Sequence, residues 1–371
     1  MSTPRHANPP TMLRAVLRSA RAGARTAIFV LKVLPMFPSA PVDWVTKRPI
    51  VERVTYPTAA GEAQGDLYHP PGSGPHPGVV VCLGVVPFGV DHPQVARLGE
   101  ALARAGFAAL LYWSPAMRDR RLDPVDAESL ALAYRWLIEW PAVDPARSGF
   151  LGTCVGGAVA LLAAARPEVR DRVAFVAAFA PYASVWTFAR DVVARTRTRD
   201  HGPERWDVDP LTRDVFLRTL TAGLAPSEAQ QLLALADAPD PPDQQPPDLD
   251  LSSAGHAVHR VLVASTAAEA DAALHALSAP MQDRLTAMSP LATIDDVRAP
   301  LIALGHDRDD GVIPVSESRR LRDHLAARPG ARYTEFHLFQ HATPKRLPIL
   351  PLVRELLRFY RYTYPLFRAA L

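Results

Sequence analysis

The sequence predicts an α/β fold: a mostly parallel sheet flanked by helices, with a large helical cap inserted between two sheet segments. Three observations carry this expectation. Short apolar runs alternate with stretches of helical periodicity from residue 48 onward. The runs are apolar throughout rather than at every second position, which suits strands covered on both faces. Between 184 and 292 the alternation stops, helix-forming segments follow one another, and the strand–helix rhythm then resumes.

The elements follow in order. "PIVERVTYPT" (49–58) and "GDLYHP" (65–70) read as strands around the turn-forming Ala59-Ala60-Gly61-Glu62. "VVVCLG" (79–84) is a β-branched run short enough for a buried strand. "HPQVARLGEALARAG" (92–106) has helical spacing and stops at Gly106. "FAALLYW" (107–113) is the next strand. A helix is expected over 123–140, with Asp123 as N-cap and Pro124 in the first turn. "SGFLG" (148–152) leads into a helix from Cys154 to about Arg166, and "RVAFVAAFAP" (172–181) is a strand. In the insertion, helices are expected in "WTFARDVVARTR", "PLTRDVFLRTLTAGL", "PSEAQQLLALA" and "HRVLVASTAAEADAALHAL". Its segment 237–250 holds five Asp, five Pro and no basic residue, the composition of an exposed loop. Strands over 299–305 and 331–339, a helix over 316–327 and a closing helix over about 344–363 complete the chain. The expected organisation is a leader (1–47), a core (48–183 with 293–371) and the cap (184–292).

Charge is unevenly placed. The net charge of the 371 residues is +3, yet residues 1–42 carry six basic residues and no acid, so the other 329 sum to −3. A slightly acidic body argues against nucleic acid as a partner. In the leader, Arg14, Arg18, Arg21 and Arg25 recur on one helical face and Leu13, Val16, Leu17, Ala20, Ala24, Ala27, Ile28 and Leu31 on another. That pattern suits either a helix lying on an anionic membrane surface or one packed on the body with its arginines solvated. The basic, apolar C-terminal stretch 345–371 suits the same two fates, peripheral membrane contact beside the leader or packing against the body. The apolar run 26–37 is too short to span a bilayer and lacks a small-residue cleavage site. Two cysteines in apolar stretches indicate no disulfide framework, so a reducing, cytoplasmic setting is expected.

The chemistry centres on Gly152-Thr153-Cys154-Val155-Gly156-Gly157, between a strand and a helix. A nucleophile elbow needs this arrangement. The central residue sits at a strained angle, and glycines at its flanks let strand and helix approach. The helix N-terminus favours thiolate on Cys154 and aims the Val155 N–H at an oxyanion. The competing reading of Cys154 is a small buried hydrophobe. A nucleophile also needs a base and an orienting acid, which in such a fold follow in the order nucleophile, acid, base. Asp307, Asp309 and Asp310 lie just beyond the strand 299–305, and His341 just beyond the strand 331–339. Asp310, four residues before Pro314, is the preferred acid and Asp307 the alternative. His306 lies close enough to touch the site. The second oxyanion donor is the N–H of Val85 or Val86, where Gly84 lets the backbone approach substrate. Trp186, Phe188, Trp206 and Phe216 of the cap, with Tyr182 at the strand edge, are expected in an apolar substrate pocket.

At these residues the chain resembles the α/β-hydrolase superfamily, and within it the dienelactone-hydrolase-like branch. The resemblance covers about 50–183 and 290–362, through "GPHPGVVVCLG", "LARAGFAALLY", "VDPARSGFLGTCVGG", "SPLATIDDVRAPLIALGHDRDDGVIP" and "FQHATP". It implies a Cys154–His341–Asp310 triad. Leu83-Gly84, Trp113-Ser114-Pro115 and the long insertion differ from that branch's pattern. Polyhydroxyalkanoate synthases share the Gly-x-Cys-x-Gly-Gly elbow. The expected activity is hydrolysis of an ester, lactone or thioester through an acyl-cysteine, on a small and mainly apolar acyl substrate, with no cofactor and no metal. The alternatives are acyl transfer from the same intermediate and a non-catalytic binding protein on the same fold.

Overall fold

The computed structural model describes residues 9–86, 89, 91–237, 249–341 and 343–371. The Pro/Asp-rich loop expected at 237–250 lies for the most part outside them.

Eight strands make one sheet. They are β1 (Ile50–Thr58), β2 (Gly61–His69), β3 (His76–Cys82), β4 (Ala108–Tyr112), β5 (Val143–Thr153), β6 (Phe175–Phe179), β7 (Leu301–Asp307) and β8 (Ala331–Phe336). Their spatial order is β1-β2-β4-β3-β5-β6-β7-β8. Only β2 runs antiparallel to its neighbours in this sheet. From β3 the chain steps outward to β4, then crosses back to β5 on the other flank. The strand order therefore reverses between β3 and β5, and a ligand crevice is expected beyond their C-terminal ends.

Successive residues of each strand serve opposite faces. Val80, Cys82, Leu110, Phe150 and Val176 belong to one buried cluster, and Val79, Val81, Leu111 and Phe175 to the other. On the first face lie α3 (Val125–Ile138), α4 (Val155–Ala165) and α11 (Val315–His324); on the second lie α1 (Pro9–Val33), α2 (Pro93–Arg104) and α12 (Ile349–Ala369). All eleven residues of α4 are buried. Its glycines and alanines let it lie close to the sheet.

Between β6 and β7 the described chain forms six helices: α5 (Val185–Val193), α6 (Pro210–Thr221), α7 (Pro226–Asp237), α8 (Ser253–Leu262), α9 (Ala267–His275) and α10 (Ala279–Ala287). The helix expected over 186–197 ends at Val193, and Thr196–Arg199 pairs with Gly202–Arg205 as a hairpin instead. The helix expected over 259–277 breaks in two, because Thr266 and Glu269 form a reciprocal capping box that starts α9. α10 was not expected. The closing helix begins at Ile349, since Pro348 holds an extended conformation, and runs past Pro365 to Ala369. Asp123 accepts a hydrogen bond from the Val125 N–H at 3.2 Å, so it serves the start of α3 from one residue further out than expected.

α1 forms as the arginine spacing predicts, but it packs with a different face. Ala22, Thr26, Phe29 and Val30 are buried against the body, whereas Leu13, Val16, Leu17 and Leu31 face outward. Lys32 is no surface cation: it is buried in ion pairs with Asp43 (2.8 Å) and Glu100 (3.0 Å). Arg97 donates to the carbonyls of Lys32, Leu34 and Phe37, which satisfies the C-terminal end of α1. No described helix is long and apolar enough to cross a membrane.

Candidate active site

Cys154 stands at the turn between β5 and α4, with φ 57° and ψ −139°. Such a backbone costs a non-glycine residue roughly 1–3 kcal/mol and persists only where the surroundings enforce it. Here they do. The Cys154 N–H donates to the Phe179 carbonyl at 2.8 Å, and its own carbonyl accepts from Gly157 at 2.9 Å. A Cβ on Gly152 would lie 2.6 Å from the Gly157 Cα, and one on Gly156 would lie 2.6 Å from the Gly84 nitrogen. Those contacts are with backbone, which has nowhere to go. The glycines are therefore required by proximity, and Cys154 is left partly exposed at the crevice. Cys82 is the opposite case: it is buried, and burial pushes its thiol pKa up to about 12.

The acid and base hang from the ends of β7 and β8. His341 Nδ1 lies 2.9 Å from Asp310 Oδ2 and 3.1 Å from Oδ1. Asp310 is buried, and its Oδ1 also accepts from the N–H groups of Val312 (2.7 Å) and Ile313 (3.0 Å). Burial alone would raise the Asp310 pKa. The charge of His341 and these donors outweigh it and hold the carboxyl below its usual range. His341 is likewise pulled down by burial, but the adjacent Cys154 and Asp310 outweigh that and raise it well above an ordinary imidazole. Cys154, His341 and Asp310 thus form one connected cluster.

Asp307 does not share it. Its Oδ2 accepts from the Phe339 N–H at 2.6 Å, and its Oδ1 from the Asp309 N–H at 2.9 Å. It ties the ends of β7 and β8 together. His306 sits beneath Asp310, with Nε2 3.6 Å from Oδ2. Its Nε2–H donates to the Ile313 carbonyl at 2.9 Å, and burial lowers its pKa. From above, the hairpin of the insertion grips the acid loop. Arg199 donates to the Arg308 carbonyl at 2.8 Å, and Trp206 Nε1 to the Gly311 carbonyl at 3.0 Å.

A cavity of about 560 Å³ opens on Cys154 and His341, within the usual range for small-molecule sites. Val85, Val86 and Val155 line it beside Cys154. Gly84, at φ 79°, abuts the elbow, and Thr153 Oγ1 donates to the Leu83 carbonyl at 3.1 Å, pinning the two loops together. The expected aromatic lining is corrected. Tyr182 donates to the Met288 carbonyl at 3.0 Å and stacks on Phe188. Trp186 Nε1 donates to Thr286 Oγ1 at 3.2 Å, and Trp206 is held by Gly311. Tyr182 and Trp206 find their partners across the seam between insertion and core, Trp186 finds its own within the insertion, and none of the three lines the cavity. From the insertion, Phe188 does line it, together with Leu211, Thr212 and Val215. The walls missed by sequence reasoning belong to the terminal helices, including Phe29 and Val33 of α1 and Phe359 and Phe367 of α12. For α12 the signal is the aromatic spacing of "RFYRYTYPLF".

No family model matches the chain. Two curated mouse (Mus musculus) proteins are similar over part of it. Bile acid-CoA:amino acid N-acyltransferase is 32% identical over 140 residues, 34% of this chain and 32% of that protein. Acyl-coenzyme A amino acid N-acyltransferase 1 is 31% identical over 103 residues, 27% of this chain and 24% of that protein. The similarity thus spans a third or less of either relative. Among solved structures, DcsB in complex with its substrate analogue matches with TM-score 0.50 and 18% identity, covering 84% of this chain and 99% of that one. 2,6-Dihydroxy-pseudo-oxynicotine hydrolase matches with TM-score 0.50 and 16% identity, covering 87% and 70%. An acylaminoacyl peptidase matches with TM-score 0.51 and 13% identity, covering 88% and 42%. At these identities the likeness is one of fold. With the strand order, the single antiparallel strand and the strand–turn–helix at Cys154, it gives one conclusion: the chain has the α/β-hydrolase fold.

Proposed function

We propose that the protein is an acyl hydrolase that works through an acyl-cysteine on Cys154, on a dienelactone-hydrolase-like plan. The observation that carries this is the strained, partly exposed thiol beside a His341 that is hydrogen-bonded to the buried Asp310. His341 holds its Nδ1 proton on Asp310 and turns Nε2 to the reaction. Cys154 Sγ, as thiolate, attacks the carbonyl carbon of an ester, lactone or thioester. The oxyanion is received by the N–H of Val155 and that of Val85 or Val86; one such donor is worth roughly 3–4 kcal/mol in the transition state. His341 then protonates the leaving group. Water, deprotonated by His341, attacks the thioester and frees Cys154.

A second reading is acyl transfer, in which an amine or alcohol replaces that water. The similarity to two N-acyltransferases favours weighing it. The choice falls to how well the insertion, acting as a cap, excludes water from the thioester.

The test is an intact-mass scan for acylated protein after exposure to esters, lactones and thioesters, with and without an added amine. The expected result is an adduct that maps to Cys154, is absent in Cys154→Ala and is strongly reduced in His341→Ala. Unchanged turnover by Cys154→Ala on every substrate would overturn the reading. Amide product formed in place of free acid would select transfer over hydrolysis.

A further inference from the structure

The cavity does not stop at the elbow. It descends the sheet face covered by α1, α2 and α12, as far as Val79 and Phe175. Both pair with Gly149, five residues before Cys154 on β5, which is about 16 Å at 3.3 Å per residue. Its deep walls include Leu102, Phe107, Phe175 and Phe367. Among the described residues, no carboxyl, amine or guanidine group lines this lower part. The Thr363 hydroxyl donates to the Phe359 carbonyl at 2.9 Å, and the Tyr362 hydroxyl lies 3.4 Å from the carbonyls of Ala178 and Ala303. Asp209, at the upper end, accepts from the Leu211 N–H at 2.9 Å and so serves its own helix. A polar or charged substrate would find no partner at depth, whereas a hydrocarbon chain would.

We propose that this channel holds the alkyl chain of a straight-chain acyl substrate, with its carbonyl on Cys154 and a chain of about twelve carbons filling the depth. The proposal rests on Cys154 being the acyl acceptor. The test is kcat/KM of the full chain on p-nitrophenyl esters from C2 to C14, with intact-mass detection of acyl-Cys154. Buried methylenes should raise kcat/KM about fourfold each up to about C12. Ala177 lines the channel opposite Leu151. Ala177→Phe should cut the C12-to-C4 ratio at least thirtyfold. A flat profile in the native protein, or an unchanged ratio in a folded Ala177→Phe, overturns the channel while leaving acyl-Cys154 visible at C2. Absence of adduct at every length instead overturns the reading beneath it. Should Ala177→Phe not fold, displacement of a fluorescent dodecanoyl probe from the native protein decides: dodecanoate should compete and butyrate should not, and equal competition overturns the channel.

A separate observation concerns the outer face of α1. Leu13 and Val16 are 62 and 63% exposed, and Leu17, Ala20, Ala24 and Leu31 continue the same outward stripe. Arg14, Arg18 and Arg21 flank it, also exposed. We infer that this stripe lies on an anionic lipid surface, the apolar residues entering the interface and the arginines meeting lipid phosphates. Sedimentation with vesicles of phosphatidylglycerol and phosphatidylcholine tests this. Binding is expected to weaken with salt, to fail on pure phosphatidylcholine, and to fall at least tenfold in Leu13→Glu/Leu17→Glu. Salt-independent binding equal on both vesicles overturns it, as does a native-mass dimer that the double substitution dissolves.

Discussion

The two faces of the sheet are built differently. On one, α4 offers only glycine, alanine, valine and leucine, all buried, and the Tyr134 and Phe150 rings meet with centroids 4.6 Å apart. On the other, the aromatic residues of α1 and α12 hold those helices off the sheet, and the cavity occupies the difference. Small residues close one face and bulky ones prop the other open. The elbow shares in both, since its helix belongs to the closed face and its Cys154 lines the cavity. Tight packing on one side thus supplies the rigidity that Cys154 requires, and loose packing on the other supplies room for a ligand.

The contrast can be broken most severely at the elbow. Gly156→Ala drives a methyl into backbone atoms of Gly84 and Cys82, so it should cost about 3 kcal/mol or more in urea unfolding. A smaller effect separates the faces directly. Ala163→Leu, in the middle of the closed face, should cost roughly 1–3 kcal/mol by overpacking, whereas Val79→Leu, which extends into the cavity, should cost less than about 1 kcal/mol. Equal losses would mean the faces are equally packed. The smallest effect is pH-dependent. Asp126, on the closed face, is raised by burial to about 6 from 3.8, and its Oδ2 has no partner. The folded protein therefore keeps a proton that the unfolded chain releases, and stability falls as pH rises from about 4 to about 6. Asp126→Asn should be more stable than the native protein by roughly 1–2 kcal/mol above pH 6 and no more stable below pH 4. A gain that persists at low pH would assign it to packing instead of ionisation.

Much of the fold was legible because strand runs such as "VVVCLG" and "FAALLYW" are apolar at every position, which only a doubly covered sheet explains. Gly152 and Gly156 were legible for a steric reason; chain order pointed to His341 and to the acids after β7, and the position four residues before Pro314 favoured Asp310, the pair now seen hydrogen-bonded. The pocket was not. Tyr182, Trp186 and Trp206 announce burial, but their direction depends on which carbonyl or hydroxyl takes the ring's proton, and those acceptors lie about a hundred residues away. The stripe of α1 misled in another way. Periodicity finds two apolar faces on that helix and cannot tell which one the body takes.

Phe29 and Phe367 stand with ring centroids 5.4 Å apart, although one comes from the first described helix and the other from the last. During synthesis the sheet, the elbow and the acid loop can all emerge before the residue that closes the channel wall. Until α12 arrives, the nascent protein presents an open apolar trough to its surroundings. A chaperone that shields such troughs would have its opportunity on this chain in the interval before α12 docks.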